Sequence, residues 1–456
     1  MLKPKINASA VTTSTPLDPI RALERLRRVN PDITFVRFQW QDYSGVLRAK
    51  VLVIEACLAM IAGGKFLHAP PMALDCAVNS TVVPGTDPIG VYWLIPDWST
   101  LQLHTSPGTA IVMCGVVKTT PSSPIPNGEL CPRQALVKVV REAAQQWQLD
   151  ILVGFEVEFQ VMKLSDGDEK GAVRHSCGQG HFAASSLLYP CWSYVEDCVR
   201  KLRTLDVHVE GLHPEGKSGQ YEITLGPLPP LQAVDQLVLV HNVLKHTFSR
   251  HGYMVTMSPK PVPAVSRETN GQHMHLSIHP ASPDKEEYFL AGILKRLPSL
   301  WAFFLPQDVS YERVGPFMAG DYVGWGTENR KVPIRKIEPG HWEIRSIDAT
   351  ANMYLTLAAV LSAGLLGLAG SEPLIWPDMS TGDWPNLSQE EIYTHVQLLP
   401  RSLDHALSAL NDDFGDLDKM LGKPMMQHYV KLKRHELLQI QKMGPEKARD
   451  LLVEIF

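Results

Sequence analysis

The segment Lys118 to Gly128 (KTTPSSPIPNG) constrains this chain most, because it holds three prolines among small polar residues. Each proline fixes φ and withholds the N–H that a helix interior or central strand needs. The spacing therefore predicts a linker that divides the chain. A flexible tail is expected over 1–19, a small domain over 20–117, the linker over 118–131 and a larger domain over 132–456. At 456 residues the chain has the length for two or three domains and can bury a large core.

Hydrophobic periodicity fills in both halves. Ile20 to Val29 has helical spacing after Asp18-Pro19. Ile33 to Trp40 alternates apolar and polar residues, the turn Asp42-Tyr43-Ser44-Gly45 follows, and Val46 to Val53 alternates again, which predicts a hairpin. Val91–Ile95 and Ala110–Val117 read as further strands. Beyond the linker, Pro132 opens a helix with an apolar stripe of Ala135, Leu136, Val139, Val140, Ala143 and Trp147. Strands are predicted at Ile151–Phe159, Gln220–Gly226, His273–His279 and Trp342–Ser346, with a helix at Leu231–Phe248. Met353 to Ala369 is apolar but short for a membrane span, and Thr356, Ser362, Gly364 and Gly367 interrupt it. It predicts a fully buried helix. The class is α+β.

Composition removes several alternatives. Hydrophobic content of 45% excludes a disordered chain. Forty-three basic against 48 acidic residues give a net charge of −5, and no Lys/Arg run of the length a nucleic-acid patch needs occurs, which argues against nucleic acid as a partner. The seven cysteines are irregularly spaced and none forms CxxC. They read as buried or idle cytosolic thiols and imply neither a disulfide framework nor a cysteine zinc site. Met1 to Pro19 lacks the apolar core of a secretory signal, so a cytoplasmic location is expected.

Four polar patterns carry candidate chemistry. Glu156 and Glu158 alternate within a predicted strand and share one face. Side-by-side carboxylates repel unless a cation lies between them. Alone, this is also how a solvated strand face reads. Glu215 sits in a glycine-broken turn and Glu222 begins the next strand. Alone, that is a polar loop. His273 and His275 share a strand face, with Ser277 two residues on. Imidazole with several carboxylates suits Mg²⁺ or Mn²⁺ where oxygens dominate. Arg313, Arg330, Arg335 and Arg345, with Glu343 beside the last, offer forks for carboxylate or phosphate. Separately, they are a common set of surface arginines.

In order and spacing these pieces resemble class I glutamine synthetase, from about Pro132 to the buried helix and again at Leu399–Leu407. The first half matches loosely, through Val36–Val53 and Ile95-Pro96-Asp97. The resemblance implies a β-grasp-like first domain, a glutamine synthetase-type catalytic domain, and rings of identical subunits with active sites between them. It implies ATP as co-substrate, two or more Mg²⁺ or Mn²⁺ ions, and glutamate or a similar acid activated as an acyl phosphate for attack by an amine. By position, Glu158, Glu215 and Glu222 would hold one metal and Glu156, His273 and Glu343 the other. His275, Ser277, Arg335 and His341 fall at nucleotide positions. Arg313 and Arg345 fall at the acid and its phosphoryl group, with Arg330 at a phosphate position.

The sequence departs from the family in three places. An acid that serves ammonium is expected six residues after Arg313, where this chain has Ala319, and the loop Phe66–Met72 lacks its acid too. Ammonium cannot be desolvated cheaply without a counter-charge. An apolar replacement suits an amine with a carbon body, since each buried methylene contributes about 0.8 kcal/mol. Asp321 and His68 are candidate bases. His341 stands where an arginine is usual, and Glu268-Thr269-Asn270 replaces part of a glycine-rich approach to the acid site. The reading that follows is a glutamate–amine ligase forming a γ-glutamyl amide. The alternatives are a non-catalytic scaffold or signalling protein and a true glutamine synthetase.

Overall fold

A computed structural model of the chain describes residues 18–87, 89–120, 123–164, 172–174, 180–216, 219–262, 269–315, 318–412 and 414–456. Nearly all of the expected tail, Glu268 and Cys177 lie outside the described residues. Two sheets organise the rest.

The first sheet has six strands: β1 (Phe35–Gln41), β2 (Leu47–Val53), β3 (Leu67–Ala69), β4 (Val91–Leu103), β5 (Thr109–Thr120) and β6 (Ser123–Asn127). Their order is β2-β1-β5-β4-β3, with β6 on β5. The expected hairpin is β1–β2, in antiparallel register from Phe35 opposite Val53 to Gln41 opposite Leu47. The two-residue period buries Val36, Phe38 and Trp40. β1 runs parallel to β5, so the sheet is mixed, as in a β-grasp. Part of the proline-rich segment is β6, an edge position where missing N–H groups are tolerated.

The second sheet has nine strands: β7 (Asp150–Leu164), β8 (Ala172–Arg174), β9 (Val209–Pro214), β10 (Gln220–Leu225), β11 (Tyr253–Thr256), β12 (Gln272–His279), β13 (Trp325–Thr327), β14 (Ile334–Glu338) and β15 (His341–Ile344). The order is β13-β14-β15-β12-β7-β10-β9, and β8 and β11 also pair with β7. The predicted strand at Trp342 ends at Ile344, because the Arg345 N–H turns to the Pro333 carbonyl at 3.0 Å.

Helices supply the core. Pro132–Trp147 buries Leu136, Val139 and Ala143, the stripe its spacing predicts. Met353–Gly370 has the length and apolarity of a membrane span, yet 83% of its 18-residue window is buried inside the fold. Its principal neighbour is the helix Pro283–Phe304. The two approach glycine to glycine: a Cβ on Gly367 would stand 2.7 Å from Gly292 Cα and collide with the Tyr288 carbonyl.

Gly367→Leu should therefore destabilise the protein by about 3 kcal/mol, since no cavity exists to take the added atoms. A thermal midpoint equal to wild type would show that the helices do not meet at this point.

Candidate active site

The second sheet builds the site by register. Across its middle, Arg335 on β14 lies opposite Glu343 on β15, Glu343 opposite His275 on β12, and His275 opposite Gly154 on β7. One step along, His273 lies opposite Glu156 and Glu156 opposite Thr224. A further step brings Glu158 opposite Glu222, and Glu222 opposite His213 on β9. Because side chains alternate faces, these rows put the charged and imidazole groups of six strands on one face. The family-implied metal residues from β7, β9–β10, β12 and β15 thus come together.

Contacts are short and mostly buried. His273 Nδ1 lies 2.9 Å from Glu156 Oε2 and 3.4 Å from Glu343 Oε1, and its Nε2 lies 3.5 Å from Glu158 Oε1. His275 Nε2 lies 3.1 Å from Glu156 Oε1, and its Nδ1 lies 3.1 Å from His341 Nε2. One proton arrangement satisfies this chain: His341 Nε2–H donates to His275, and His275 Nε2–H donates to Glu156. The Gly271 N–H donates to Glu158 Oε2 at 2.7 Å. Glycine is required at 271, because a Cβ would collide with the Arg313 guanidinium and stand 2.7 Å from His273 Nε2. Glu343 is fully buried and bonded by Arg335 (2.9 Å) and by Arg345.

The electrostatics show what the cluster lacks. Burial, then the charges of Glu156, Glu158, Glu215 and Glu343, push Glu222 up to about 9. Burial alone would raise Glu156 too, but hydrogen bonds from His273 and His275 outweigh it and hold it low. For Glu343, burial is outweighed by His273 and Arg345, and its carboxyl is lowered. For Glu215, the His213 hydrogen bond and the Gly216 N–H outweigh burial. Burial, then the His275 charge, lowers His341. A buried carboxylate that must take a proton for want of positive charge fits a divalent cation. Among the described residues, three groups bring ligand atoms within 4.8 Å of one another: Glu156 with Glu222 and His273, Glu156 with His275 and Glu343, and His213 with Glu215 and Glu222.

These groups differ from the implied sets in two respects. Glu158 joins none of the three and is engaged by Gly271 and Gln220 (3.4 Å). His213, which the sequence reading did not select, lies 2.9 Å from Glu215 and 3.7 Å from Glu222. Its only sequence signal is its place two residues before Glu215, near the end of β9.

The other candidates fall as follows. Arg313 is buried and donates to the Ser346 and Arg345 carbonyls at 2.7 and 2.8 Å. Ala319 is buried with φ +58°, and its carbonyl accepts from the Ser346 hydroxyl at 3.5 Å. Ser277 is half-buried opposite His341. The Thr269 carbonyl accepts from Gln220 at 2.7 Å, and Arg330 is exposed. The two candidate bases are engaged away from these rows. Asp321 has the Tyr393 hydroxyl 2.7 and 2.9 Å from its oxygens. His68 stands on β3 of the first sheet, edge-on to Trp93.

A β-grasp-like sheet beside a curled sheet bearing clustered acids and imidazoles is a glutamine synthetase-type architecture. Residues 129–449 match the family described as glutamine synthetase, catalytic domain, and the chain belongs to that family. It is 33% identical over 443 residues to protein fluG of Emericella nidulans, covering 95% of this chain and 50% of fluG. The chain thus spans half the length of that relative. It is 31% identical to gamma-glutamylpolyamine synthetase GlnA3 of Streptomyces coelicolor, covering 84% of each. It is 26% identical to type-1 glutamine synthetase 1 of Dictyostelium discoideum, covering 96% and 94%. A solved novel glutamine synthase homolog superposes with TM-score 0.75 at 25% identity, over 93% of this chain and 99% of that one. A GmaS/ADP complex superposes at 0.78, with 23% identity over 94% and 98%, a likeness of fold.

Glu222→Gln should act in opposite directions on the two states. In chelator, wild-type Glu222 keeps its proton up to about 9 in the fold, against an ordinary value of 4.5. Its contribution to stability is present below 4.5 and is lost as pH rises through about 9. The glutamine variant should lack that loss and melt higher than wild type at alkaline pH. It should also bind Mn²⁺ at least about tenfold more weakly. Equal Mn²⁺ affinity, read by titration calorimetry, would remove Glu222 from the metal site.

Proposed function

We propose that this chain is an ATP-dependent carbon–nitrogen ligase. It activates the side-chain carboxylate of glutamate, or a similar acid, as an acyl phosphate and couples it to an organic amine, giving a γ-glutamyl amide. One observation carries the reading: the buried carboxylate–imidazole cluster is whole, while the position six residues after Arg313 is a buried alanine. Ala319 connects through Ser346 to Arg313, so the missing acid falls beside the arginine read as the holder of the acid substrate. A neutral wall there favours an amine with a carbon body over ammonium. The relative named for γ-glutamylpolyamine synthesis supports the same direction.

On this reading Glu158, Glu215 and Glu222 hold one divalent cation and Glu156, His273 and Glu343 a second. When bound, Mg²⁺ or Mn²⁺ supplies charge neutralisation to the transferring phosphoryl group. Arg313, Arg345 and Thr269 orient the acid, and Arg330 and Arg345 take up phosphoryl charge. His275, Ser277, Arg335 and His341 face the nucleotide. A homo-oligomeric ring would complete the amine side with a loop from a neighbouring copy.

Phosphate release from ATP and Mg²⁺ with glutamate, against ammonium and a panel of alkyl, polyamine and aryl amines, tests the reading, with product masses taken in parallel. Turnover with one organic amine class, and far less with ammonium, is expected. Preference for ammonium would make the chain a glutamine synthetase. Silence across the panel and a second panel of acids, with Mn²⁺ and ATP still bound, would leave a non-catalytic descendant. Glu343→Ala should abolish turnover, and Ala319→Glu should shift the preference toward ammonium.

A further inference from the structure

Where the first sheet meets the helix Pro230–Ser249, four side chains gather outside the site described above. They are Arg37 on β1, His104 and Ser106 in the turn from β4 to β5, and His246 on the helix. The shorter of its two contacts assigns the His104 tautomer. Its Nδ1 accepts the Ser106 N–H at 2.9 Å, so in the neutral ring the proton is on Nε2. That Nε2–H faces the Arg37 guanidinium at 3.5 Å. Two donors therefore confront each other, and His104 is only 8% exposed. Donors so placed call for a shared acceptor.

The surroundings supply further donors and positive charge. His246 is flanked by two hydroxyls, with Thr105 Oγ1 2.9 Å from Nδ1 and Ser106 Oγ 3.1 Å from Nε2. Its ring stands 5.5 Å from that of His104. Burial, then the charges of Arg250, Lys201 and Arg37, lowers His246. Burial, then Arg37 and His246, lowers His104 to about 4. Among the described residues, every charged group that shifts either ring is cationic, so the acceptor most suited to this point is an anion.

We propose that Arg37, His104, Ser106 and His246 form a binding site for a phosphate-sized tetrahedral oxyanion, free or as the terminal group of a larger molecule. Arg37 supplies the charge, His104 Nε2–H a directed donor, and the Ser106 hydroxyl a third when His246 donates to it. The site joins the first sheet to a helix of the catalytic domain, so occupancy would tie the two together. It is independent of the ligase reading.

Crystals of the full chain soaked in graded selenate concentrations test this, because selenium's anomalous signal locates the ion directly. A peak within hydrogen-bonding distance of Arg37 Nη1 and His104 Nε2 is expected. Arg37→Gln should weaken it about tenfold or more, the effect of one charge-assisted hydrogen bond. Any selenate in the Glu343 cluster should persist and serves as an internal control for folding. Arg37→Lys, which keeps charge but not the fork, gives a second variant if the glutamine form fails to fold. Competition identifies the source. Displacement by inorganic phosphate alone marks a free ion, and displacement also by phosphate monoesters marks a terminal group. Selenate only elsewhere, a water in its place at saturating selenate, or a peak untouched by both variants would overturn the proposal.

Discussion

Like charges held together in a buried place are the constraint on which the rest depends. Glu156, Glu158, Glu222 and Glu343 lie on three strands of one sheet, and Glu343 is fully buried. Such a set is unfavourable unless cations and donors surround it. The protein surrounds it with His273, His275, His213, Arg335 and Arg345. Each comes from a strand or strand end in fixed register, so the sheet can hold the cluster without relying on mobile loops. The fold is thereby organised around a place that requires positive charge.

The same principle joins the two sheets. The Glu436 carboxylate, on the helix Lys423–Met443, accepts from Ser44 (2.5 Å), between β1 and β2, and from Val78 (2.6 Å), between β3 and β4. It also accepts from Gln307 (2.7 Å), just after the helix Pro283–Phe304, and from Lys433 (2.6 Å) on its own helix. Arg133 bridges Asp97 on β4 and Asp235 on the helix Pro230–Ser249, at 2.8 and 2.7 Å. Burial pushes Asp42 up to about 6 despite the Arg48 pair at 2.7 Å, and Asn352, the N-cap of the buried helix, donates to its carbonyl. Removing one partner from a buried pair costs about 3–5 kcal/mol, so these contacts fix orientation more than they add net stability.

On the side proposed for the amine, an alanine stands where the resemblance implies an acid. Ala319 has a left-handed backbone, which no bulky apolar residue adopts readily, and it lies in a buried strip beside Arg313. Asp321, two residues on, is drawn instead to Tyr393. The position therefore presents a small neutral wall, the feature on which the proposed preference for an organic amine rests.

Much of this was legible in sequence. The β1–β2 hairpin, the helix Pro132–Trp147 and the strands carrying Glu156, Glu222 and His273 follow from local periodicity. So does the choice of a buried helix at Met353, since small and hydroxyl residues break its apolarity. Other elements were hidden for physical reasons. The helix Pro283–Phe304 was not foreseen; it runs through Pro298, where packing along the buried helix offsets the lost hydrogen bond. The prolines of Ser123–Asn127 read as a linker, because an edge strand and a linker tolerate the same residues. The sequence by itself determined which side chains alternate onto one strand face, since a period of two is local. Only the tertiary structure decided which strands lie side by side, and so which carboxylates share one cluster. That pairing brought His273 to Glu156 and Arg37 to His104, across separations in the chain that no local pattern spans.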